Sequence, residues 1–284
     1  DLGLNYYNMI YCTQIEENNL QLRSYLDDMI LWCQIYDDYR NNKQSKSDLE
    51  HSYLLSAEVY SRFDNTKHFE RIMRDIDKYL SYRLEAHING EQTDDKIVDE
   101  RVKANKILYQ AIIHNHQKGS QITDFLLKQC NASVKANDFN GFLQLTYLIE
   151  NLLKWTWENN LDFVGTHCSL EDIFFNNISN QCMLWEQHHM YERLKQDAER
   201  IVGMLDNVRE SENVLLGVQS VLRYAIHIFG SGEYQKTIPY ADVIFDTLQK
   251  TNNLPDIELA GIYEKLLAMY SEAEFLDKAL IVAD

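Results

Sequence analysis

The stretch that decides the fold runs from Ser220 to Leu248 and reads SVLRYAIHIFGSGEYQKTIPYADVIFDTL. It places Ile228 three residues after Ala225, and Ala241 sixteen residues after Ala225. The same spacing recurs at steps of 43 and 42 residues, in the sets Cys182, Trp185, Ala198 and Leu267, Tyr270, Ala283. A small or apolar residue, an anchoring side chain one turn later and a second, alanine-bearing helix are typical of paired helices that cross closely. The pattern predicts stacked helical hairpins.

The rest of the chain also favours helices. Its 284 residues include only two prolines and ten glycines, and both prolines, Pro239 and Pro255, lie late. Long stretches therefore lack a strong helix breaker. Apolar residues at helical spacing predict one hairpin between residues 4 and 36 and a second between residues 54 and 80. We predict an all-α protein.

The chain is expected to form one continuous array over residues 1–284, because repeat proteins do not depend on a single globular core. The best loop candidate is INGEQTDD, which ends at Asp95, so a break in the array would fall near residues 88–96. The recurring units are clearest in residues 175–284. Between residues 98 and 165 the pattern leaves the pairing of the helices open.

The charge and cysteine content narrow the function classes. The chain has 27 Lys plus Arg against 44 Asp plus Glu, a formal net charge of −17, which disfavours direct binding to nucleic-acid phosphates. No apolar run reaches the roughly 18 residues of a membrane span, so no membrane insertion is expected. Five cysteines without a CxxC pair indicate reduced thiols and a cytoplasmic protein. Because the sequence begins at Asp1, a periplasmic sensory domain of a membrane-bound signalling protein is the alternative.

The two final units resemble tetratricopeptide repeats. The matching residues are small Ala225, aromatic Tyr270, the turn at Gly232-Glu233-Tyr234 and the segment Lys278-Ala279-Leu280, which opens a second helix. Three features depart from the family: Leu267 replaces a small residue, Thr237 replaces an alanine, and the unit exceeds the family's length of about 34 residues. The resemblance implies a right-handed α-solenoid of stacked antiparallel hairpins, in an irregular, lengthened form.

Proteins of this family bind peptides or protein segments along the first helix of each hairpin, and the resemblance implies that role here. On these helices Arg223, His227, Tyr263 and Glu264 are the predicted binding residues. We expect a non-enzymatic input or assembly domain of a bacterial regulatory or signalling protein. A structural scaffold that forms a homodimer and a helical enzyme with an unrecognised site are the alternatives.

The sequence predicts no catalytic, cofactor-binding or metal-binding residue. His114 and His116, or His188 and His189, could join Cys168 and Cys182 in a metal site, but residues one or two positions apart on a helix face different directions. The acidic pairs Asp27-Asp28, Asp37-Asp38 and Asp94-Asp95 lack the further carboxylate of a diphosphate-handling site, so solvated surfaces are predicted. Trp185 is expected to pack in the core because it occupies the repeat's anchoring position. Trp155 and Trp157 lie two apart and cannot share one helix face.

Overall fold

The computed structural model describes residues 20–40, 42–90 and 95–283. Helices dominate these residues and no extended strand occurs among them, so the all-α prediction is confirmed. The chain divides into two compact units, one ending at Cys168 and the other beginning at Ser169. None of the helices in the described ranges is long and apolar enough to cross a membrane. The first hairpin's residues before Leu20 lie outside the described residues.

The first unit contains six α-helices in the described ranges. Their bounds are α1 (Leu20–Arg40), α2 (Lys43–Phe63), α3 (Phe69–Ile88), α4 (Asp95–His114), α5 (Gly119–Lys135) and α6 (Phe139–Glu158). α2 contacts α1, α3 and α4, whereas α6 contacts α4 and α5. The predicted hairpin between residues 54 and 80 corresponds to α2 and α3. Its turn is held by Asp64, whose carboxylate accepts hydrogen bonds from the backbone N–H groups of Thr66 and Lys67.

The region in which the sequence left the helix pairing open, residues 98–165, ends in a loop. After α6 the chain runs without a helix from Asn159 to Ser169, where α7 begins its cap. Phe163 is buried in this loop, 6.4 Å from the ring centroid of Trp155, and a Cβ added at Gly119 would come within 3.1 Å of its ring. The hydroxyl of Thr166 donates to Asp124 on α5 at 2.6 Å. The loop therefore packs against the start of α5.

The second unit contains six further helices in the described residues. They are α7 (Leu170–Gln187), α8 (Tyr191–Val202), α9 (Ser211–Gly230), α10 (Tyr234–Lys250), α11 (Asp256–Glu272) and α12 (Leu276–Ala283). Consecutive helices contact one another in the pairs α7 with α8, α9 with α10 and α11 with α12. α9 also contacts α7 and α8, and α10 contacts α11. These contacts link all six helices into one packed unit.

The repeat register is visible in the backbone where each pair turns. The residues at the three turns, His189, Gly232 and Glu274, have φ values of +56°, +78° and +65°. They follow one another at the same steps of 43 and 42 residues. At each turn a backbone N–H bonds back to the carbonyl of the predicted anchoring residue, in the pairs Met190 to Trp185, Glu233 to Ile228 and Phe275 to Tyr270. All three helices thus end in the same left-handed turn, which satisfies carbonyls that lack intrahelical partners.

The side chains follow the register in two units and partly in the third. The small residues of the first two units are fully buried, namely Cys182, Ala198, Ala225 and Ala241. The three anchoring residues, Trp185, Ile228 and Tyr270, are nearly fully buried. In the third unit Leu267 is 36% exposed and Ala283 is exposed, whereas Leu266 is fully buried. Leu267 therefore does not take the buried position that its register predicts. Within the described residues, no further hairpin covers that face of α11 and α12.

Pro239 lies inside α10 rather than at a helix end. Its side chain is exposed. A proline removes one backbone donor and usually disrupts a helix interior. Here the helix continues to Lys250 because Ile238, Ala241 and Ile244 bury the opposite face. Pro255, in contrast, immediately precedes α11, where no backbone donor is required.

Candidate functional site

The candidate site is a groove between α9 and α11 in the second unit. It begins at the start of both helices, includes the turn Asn253 to Pro255, and has a volume of about 880 Å³. Its apolar lining consists of Leu215, Leu216, Leu222, Ile226, Leu254, Pro255, Ile257, Gly261 and Ile262. Its polar lining consists of Glu186, Ser211, Glu212, Gln219, Arg223, Asn253, Glu258 and Lys265. An apolar floor with a few convergent polar groups is typical of a ligand-binding groove.

The repeat pattern determines which residues reach this groove. Ala225 and Ile228 lie on the buried side of α9, and Leu222 and Ile226 of the same helix line the groove. Leu222 and Ile262 are buried in the floor, whereas Ile257 is 85% exposed at the entrance. An exposed isoleucine beside a groove offers apolar area to a ligand at little cost in the free protein. The groove therefore combines a fixed floor with an apolar edge.

Two polar contacts involve residues that line the groove. The side-chain amide of Gln219 on α9 donates to Glu258 on α11 at 3.0 Å. Arg223 on α9 forms an ion pair with Glu186 on α7. With Arg223 neutralised by Glu186, the remaining charges of the lining are Glu212, Glu258 and Lys265, which sum to −1. The groove is therefore slightly acidic, like the chain as a whole.

Gly261 keeps one wall of the groove open. A Cβ added at this position would meet no atom within 4 Å, so the space beside it is empty. Gly261 lies inside α11, where glycine is less favourable than alanine by about 1 kcal/mol. The residue therefore leaves room for a ligand at some expense in helix stability. The sequence pattern gave no signal for this position, because the groove is defined by side chains on two helices.

The structure places the four predicted binding residues in different surroundings. Arg223 lines the groove. His227 stacks on Tyr191 of α8, with ring centroids 3.4 Å apart and an interplanar angle of 4°. Tyr263 contacts Phe245 of α10 edge to face at 6.3 Å, and Glu264 is exposed. Of these four, Arg223 alone is part of the groove lining.

His227 belongs to a separate polar and aromatic surface on α8, α9 and α10. Nδ1 of His189 lies 2.9 Å from the hydroxyl oxygen of Tyr191, which in turn stacks on His227. Tyr224 packs edge to face on Tyr240 at 5.2 Å. Burial, together with the charges around it, raises the pKa of Tyr240 to about 12. Tyr240 thus remains neutral and contributes mainly apolar area.

Behind the groove, Asp197 organises the core between α7 and α8. It accepts hydrogen bonds from Gln181 at 2.7 Å, Trp185 at 2.8 Å and Arg200 at 2.6 Å. Burial is the largest influence on its carboxyl group and raises its pKa. Burial also raises the pKa of the neighbouring Cys182 thiol to about 12, so this cysteine is a neutral core residue. The prediction that Trp185 packs in the core is confirmed, with a hydrogen bond that the spacing did not reveal.

The first unit has a groove of its own between α4 and α6, with a volume of about 540 Å³. It is lined by Val102, Asn105, Lys106, Tyr109, Gln110, Gln144, Tyr147, Leu148, Asn151, Lys154, Trp155 and Glu158. Trp155 and Trp157 are both half-buried, and Trp155 also packs on His116 with ring centroids 6.1 Å apart. The side chain of Asn105 donates to the carbonyl of Gln144 at 2.8 Å. This contact joins the two walls of the groove.

The histidine and aspartate pairs occupy ordinary surface positions where they are described. Nδ1 of His114 bonds to the carbonyl of Gln110, and Nδ1 of His116 lies near the carbonyl of Ile113. Within the described ranges, neither these residues nor His188 and His189 belong to a group of three metal-ligand side chains. Asp27 forms an ion pair with Arg71, and Asp37 accepts from Ser45. Asp94 lies outside the described residues.

No protein-family model and no curated protein matches this chain. The tetratricopeptide resemblance therefore stays a prediction that depends on the residues of the last two units.

Proposed function

We propose that this chain is a non-enzymatic helical repeat domain that binds a protein or peptide segment in the groove between α9 and α11. In this proposal the helices stack as tetratricopeptide-like antiparallel hairpins in a right-handed α-solenoid. Three helix pairs with the same closing turn, at His189, Gly232 and Glu274, support that arrangement. The observation that carries the functional proposal is the groove, since its lining comes from the first helices of consecutive pairs.

The chemistry of the lining favours a peptide with apolar side chains and at least one basic residue. Leu222, Leu254 and Ile262 provide an apolar floor, and Ile257 extends it at the entrance. Glu212 and Glu258 exceed the free positive charge of Lys265, and the whole chain carries a net charge of −17. A negative surface attracts a basic ligand and speeds its association at low salt. Affinity is expected to depend mainly on the apolar contacts.

Binding in this groove also offers a route to regulation. A ligand that contacts both α9 and α11 would favour one spacing of these helices, and the hydrogen bond between Gln219 and Glu258 already spans them. A ligand shifts a conformational equilibrium only by its difference in affinity for the two states. We place the chain as the input or assembly part of a cytoplasmic bacterial regulatory or signalling protein, with the groove as its sensor.

The test is selection of a random linear peptide library on the full chain, followed by measurement of Kd for the selected peptides. Gly261→Leu should fill the groove and weaken binding by at least about tenfold, which corresponds to about 1.4 kcal/mol. Ala268→Leu adds the same side chain to an exposed position of the same helix and should leave Kd unchanged. Absence of any selected peptide, or equal Kd values for the Gly261→Leu variant and the parent, would contradict the proposal.

A structural scaffold that forms a homodimer is the second candidate, because the last pair of helices exposes a large apolar surface. Leu276, Leu280 and Ile281 on α12 are each at least 60% exposed, and Phe275 lies beside them. Exposed apolar patches of this kind often mark interfaces between proteins. Sedimentation equilibrium of the full chain and of the Leu280→Glu variant decides this candidate. A dimer that dissociates in the variant supports it, and a monomer at all concentrations opposes it.

A further inference from the structure

A polar cluster lies where α2, α3 and α4 meet, and its residues line neither groove. Glu50 and His51 are neighbours on α2, and Glu100 lies on α4, which contacts α2. Adjacent helix residues face different directions, but the side chains of Glu50 and His51 are long enough for their ends to approach Glu100. One ligand atom from each of these three residues lies within 4.8 Å of the other two. Among the described residues, this is the one group of three histidine, cysteine or carboxylate side chains with that proximity. Tyr79 and Arg83 approach the same cluster from α3.

The cluster places two carboxylates, those of Glu50 and Glu100, near the buried Arg83. Glu50 is 2% exposed and forms a close ion pair with Arg83, which is also buried. Glu100 adds a second carboxylate, which lies 2.9 Å from Nε2 of His51 and 3.8 Å from Nζ of the mostly exposed Lys96. A further positive charge between the two carboxylates would therefore be favourable.

Two polar groups in the cluster lack hydrogen-bond partners. The hydroxyl group of Tyr79 is completely buried and makes no hydrogen bond. Burial raises the pKa of this hydroxyl, and the charges of Glu50 and Glu100 raise it further. Nε2 of His51 lies 2.9 Å from Glu100, but its Nδ1 is buried without a partner. A buried polar group without a partner destabilises the fold, so the arrangement is incomplete without an additional binding partner.

The donor set has the chemistry of a site for a divalent transition-metal ion. Imidazole nitrogen and carboxylate oxygen both bind Zn²⁺, and three protein ligands with one open position are typical of exchangeable zinc sites. Donor atoms on a tetrahedral Zn²⁺ lie about 3.4 Å apart, given bonds of about 2.1 Å. Nε2 of His51 and the Glu100 carboxylate, at 2.9 Å, would have to separate slightly, whereas donors up to 4.8 Å apart would have to approach by at most about 1.4 Å. Rotation of the two long glutamate side chains can provide both changes. Arg83 can hold one oxygen of Glu50 while the other faces the ion.

We propose that Glu50, His51 and Glu100 bind one Zn²⁺-like divalent ion that joins α2 to α4, and that the Tyr79 hydroxyl donates a hydrogen bond to the ligand shell. The ion can enter from solvent, because the side chains of His51 and Glu100 are 33% and 14% exposed. The hydroxyl of Tyr79 then acts as a positioning group that orients a carboxylate or a bound water. The site is independent of peptide binding in the second unit.

The test is calorimetric titration of the full chain, kept reduced, with Zn²⁺ alone. One stoichiometric site is expected in the parent, and it should be lost in both His51→Gln and Glu100→Gln. Matched substitutions at exposed positions of the second unit, His188→Gln and Glu272→Gln, should keep it. Zn²⁺ should also raise the Tm of the parent, and of these two controls, but not of the two ligand variants. These comparisons separate the site from weak binding by scattered histidines and thiols.

A second set of measurements distinguishes a metal site from a purely structural ion-pair cluster. Tyr79→Phe should weaken Zn²⁺ binding by about tenfold or more, as loss of a ligand-orienting group does, without lowering the Tm of the ion-free protein. The NMR signals of the His51 imidazole should shift on addition of one equivalent of Zn²⁺. The proposal is overturned if the parent binds no stoichiometric Zn²⁺, or if His51→Gln and Glu100→Gln bind it as the parent does.

Discussion

Asp197 on α8 connects its helix to α7 through buried hydrogen bonds. It is almost fully buried and accepts hydrogen bonds from three side chains, two of which, Gln181 and Trp185, are themselves buried. A carboxylate with three donors can remain in a core because the hydrogen bonds replace those that it loses with water. Removal of one acceptor therefore affects several groups together.

Asp197→Ala is expected to lower the free energy of unfolding by about 3 kcal/mol or more, because two buried donors lose their acceptor at about 1–3 kcal/mol each. Urea denaturation followed by tryptophan fluorescence measures this change. Asp206→Ala is the matched control, since Asp206 is 78% exposed in its contact with Lys250. Its cost should stay below about 1 kcal/mol. Equal costs for the two variants would contradict the assigned role of Asp197.

Gly141 is required by a buried ion pair next to the start of α6. Arg101 and Asp138 are both buried and share two hydrogen bonds, at 3.0 and 2.6 Å, and Asp138 also accepts from the backbone N–H of Gly141. A Cβ at Gly141 would overlap the side chains of both charged residues. Because Gly141 has no Cβ, the Asp138 carboxylate can accept both from the backbone N–H of Gly141 at the start of α6 and from Arg101.

Gly141→Ala is therefore expected to destabilise the protein by about 1–3 kcal/mol, the usual effect of overpacking, despite the better helix propensity of alanine. Gly261→Ala should have the opposite sign and stabilise by up to about 1 kcal/mol, because nothing lies near its added methyl group. Thermal unfolding of the two variants beside the parent checks both signs. A stabilised Gly141→Ala variant would show that the ion pair can move aside.

At the scale of the helices, the three matching turns of the second unit place different residues in the same left-handed conformation. Glycine adopts positive φ readily, whereas a residue with a Cβ does so at a cost of about 1–2 kcal/mol. Gly232 fits its turn for this reason, but His189 and Glu274 occupy the equivalent places. Their backbones are held by the hydrogen bonds that end each helix.

Glu274→Gly is expected to raise the free energy of unfolding by about 0.5–1 kcal/mol, because it removes the strain of a positive φ. Gly232→Ala should lower it by about 1 kcal/mol, and no side chain lies within 4 Å of the added methyl group to confuse the result. Chemical denaturation of the two variants measures both changes. A destabilising Glu274→Gly would mean that the glutamate side chain contributes more than its backbone costs.

The whole chain divides into two compact units at Cys168 and Ser169. Each has its own buried residues, and the second contains every helix of the recurring pattern from α7 to α12. Trp185 is the one tryptophan of the second unit, since the other three lie before Cys168. Its fluorescence therefore reports on that unit alone.

A fragment of residues 169–284 is expected to fold without the rest of the chain. It should give a helical circular dichroism spectrum, one cooperative thermal transition and the blue-shifted emission of a buried Trp185. Its emission can be compared with that of the full chain in which the other three tryptophans are replaced by phenylalanine. A fragment with no cooperative transition, or with the emission of a solvated tryptophan, would contradict independent folding.

The sequence by itself determined the helical class, the approximate extent of the last helices and the buried positions of Ala225, Ala241 and Trp185. These features follow from the spacing of small and apolar residues along a single helix, which is a local property. It did not predict that Leu267 would be exposed, because burial there depends on whether another element covers that face. Nor did it determine the helix pairing in residues 98–165, where the loop around Phe163 packs against α5.

Only the tertiary structure decided where binding chemistry can occur. The groove is lined by residues of α9 and α11 such as Leu222 and Ile262, which are forty positions apart in the sequence. Gly261 leaves part of this groove open, because no atom lies within 4 Å of the position that its Cβ would take. The cluster of Glu50, His51 and Glu100 likewise forms because α2 contacts α4. Sequence spacing reports contacts within a helix, whereas grooves and ligand clusters depend on the distance between helices, which is fixed by packing of the whole unit.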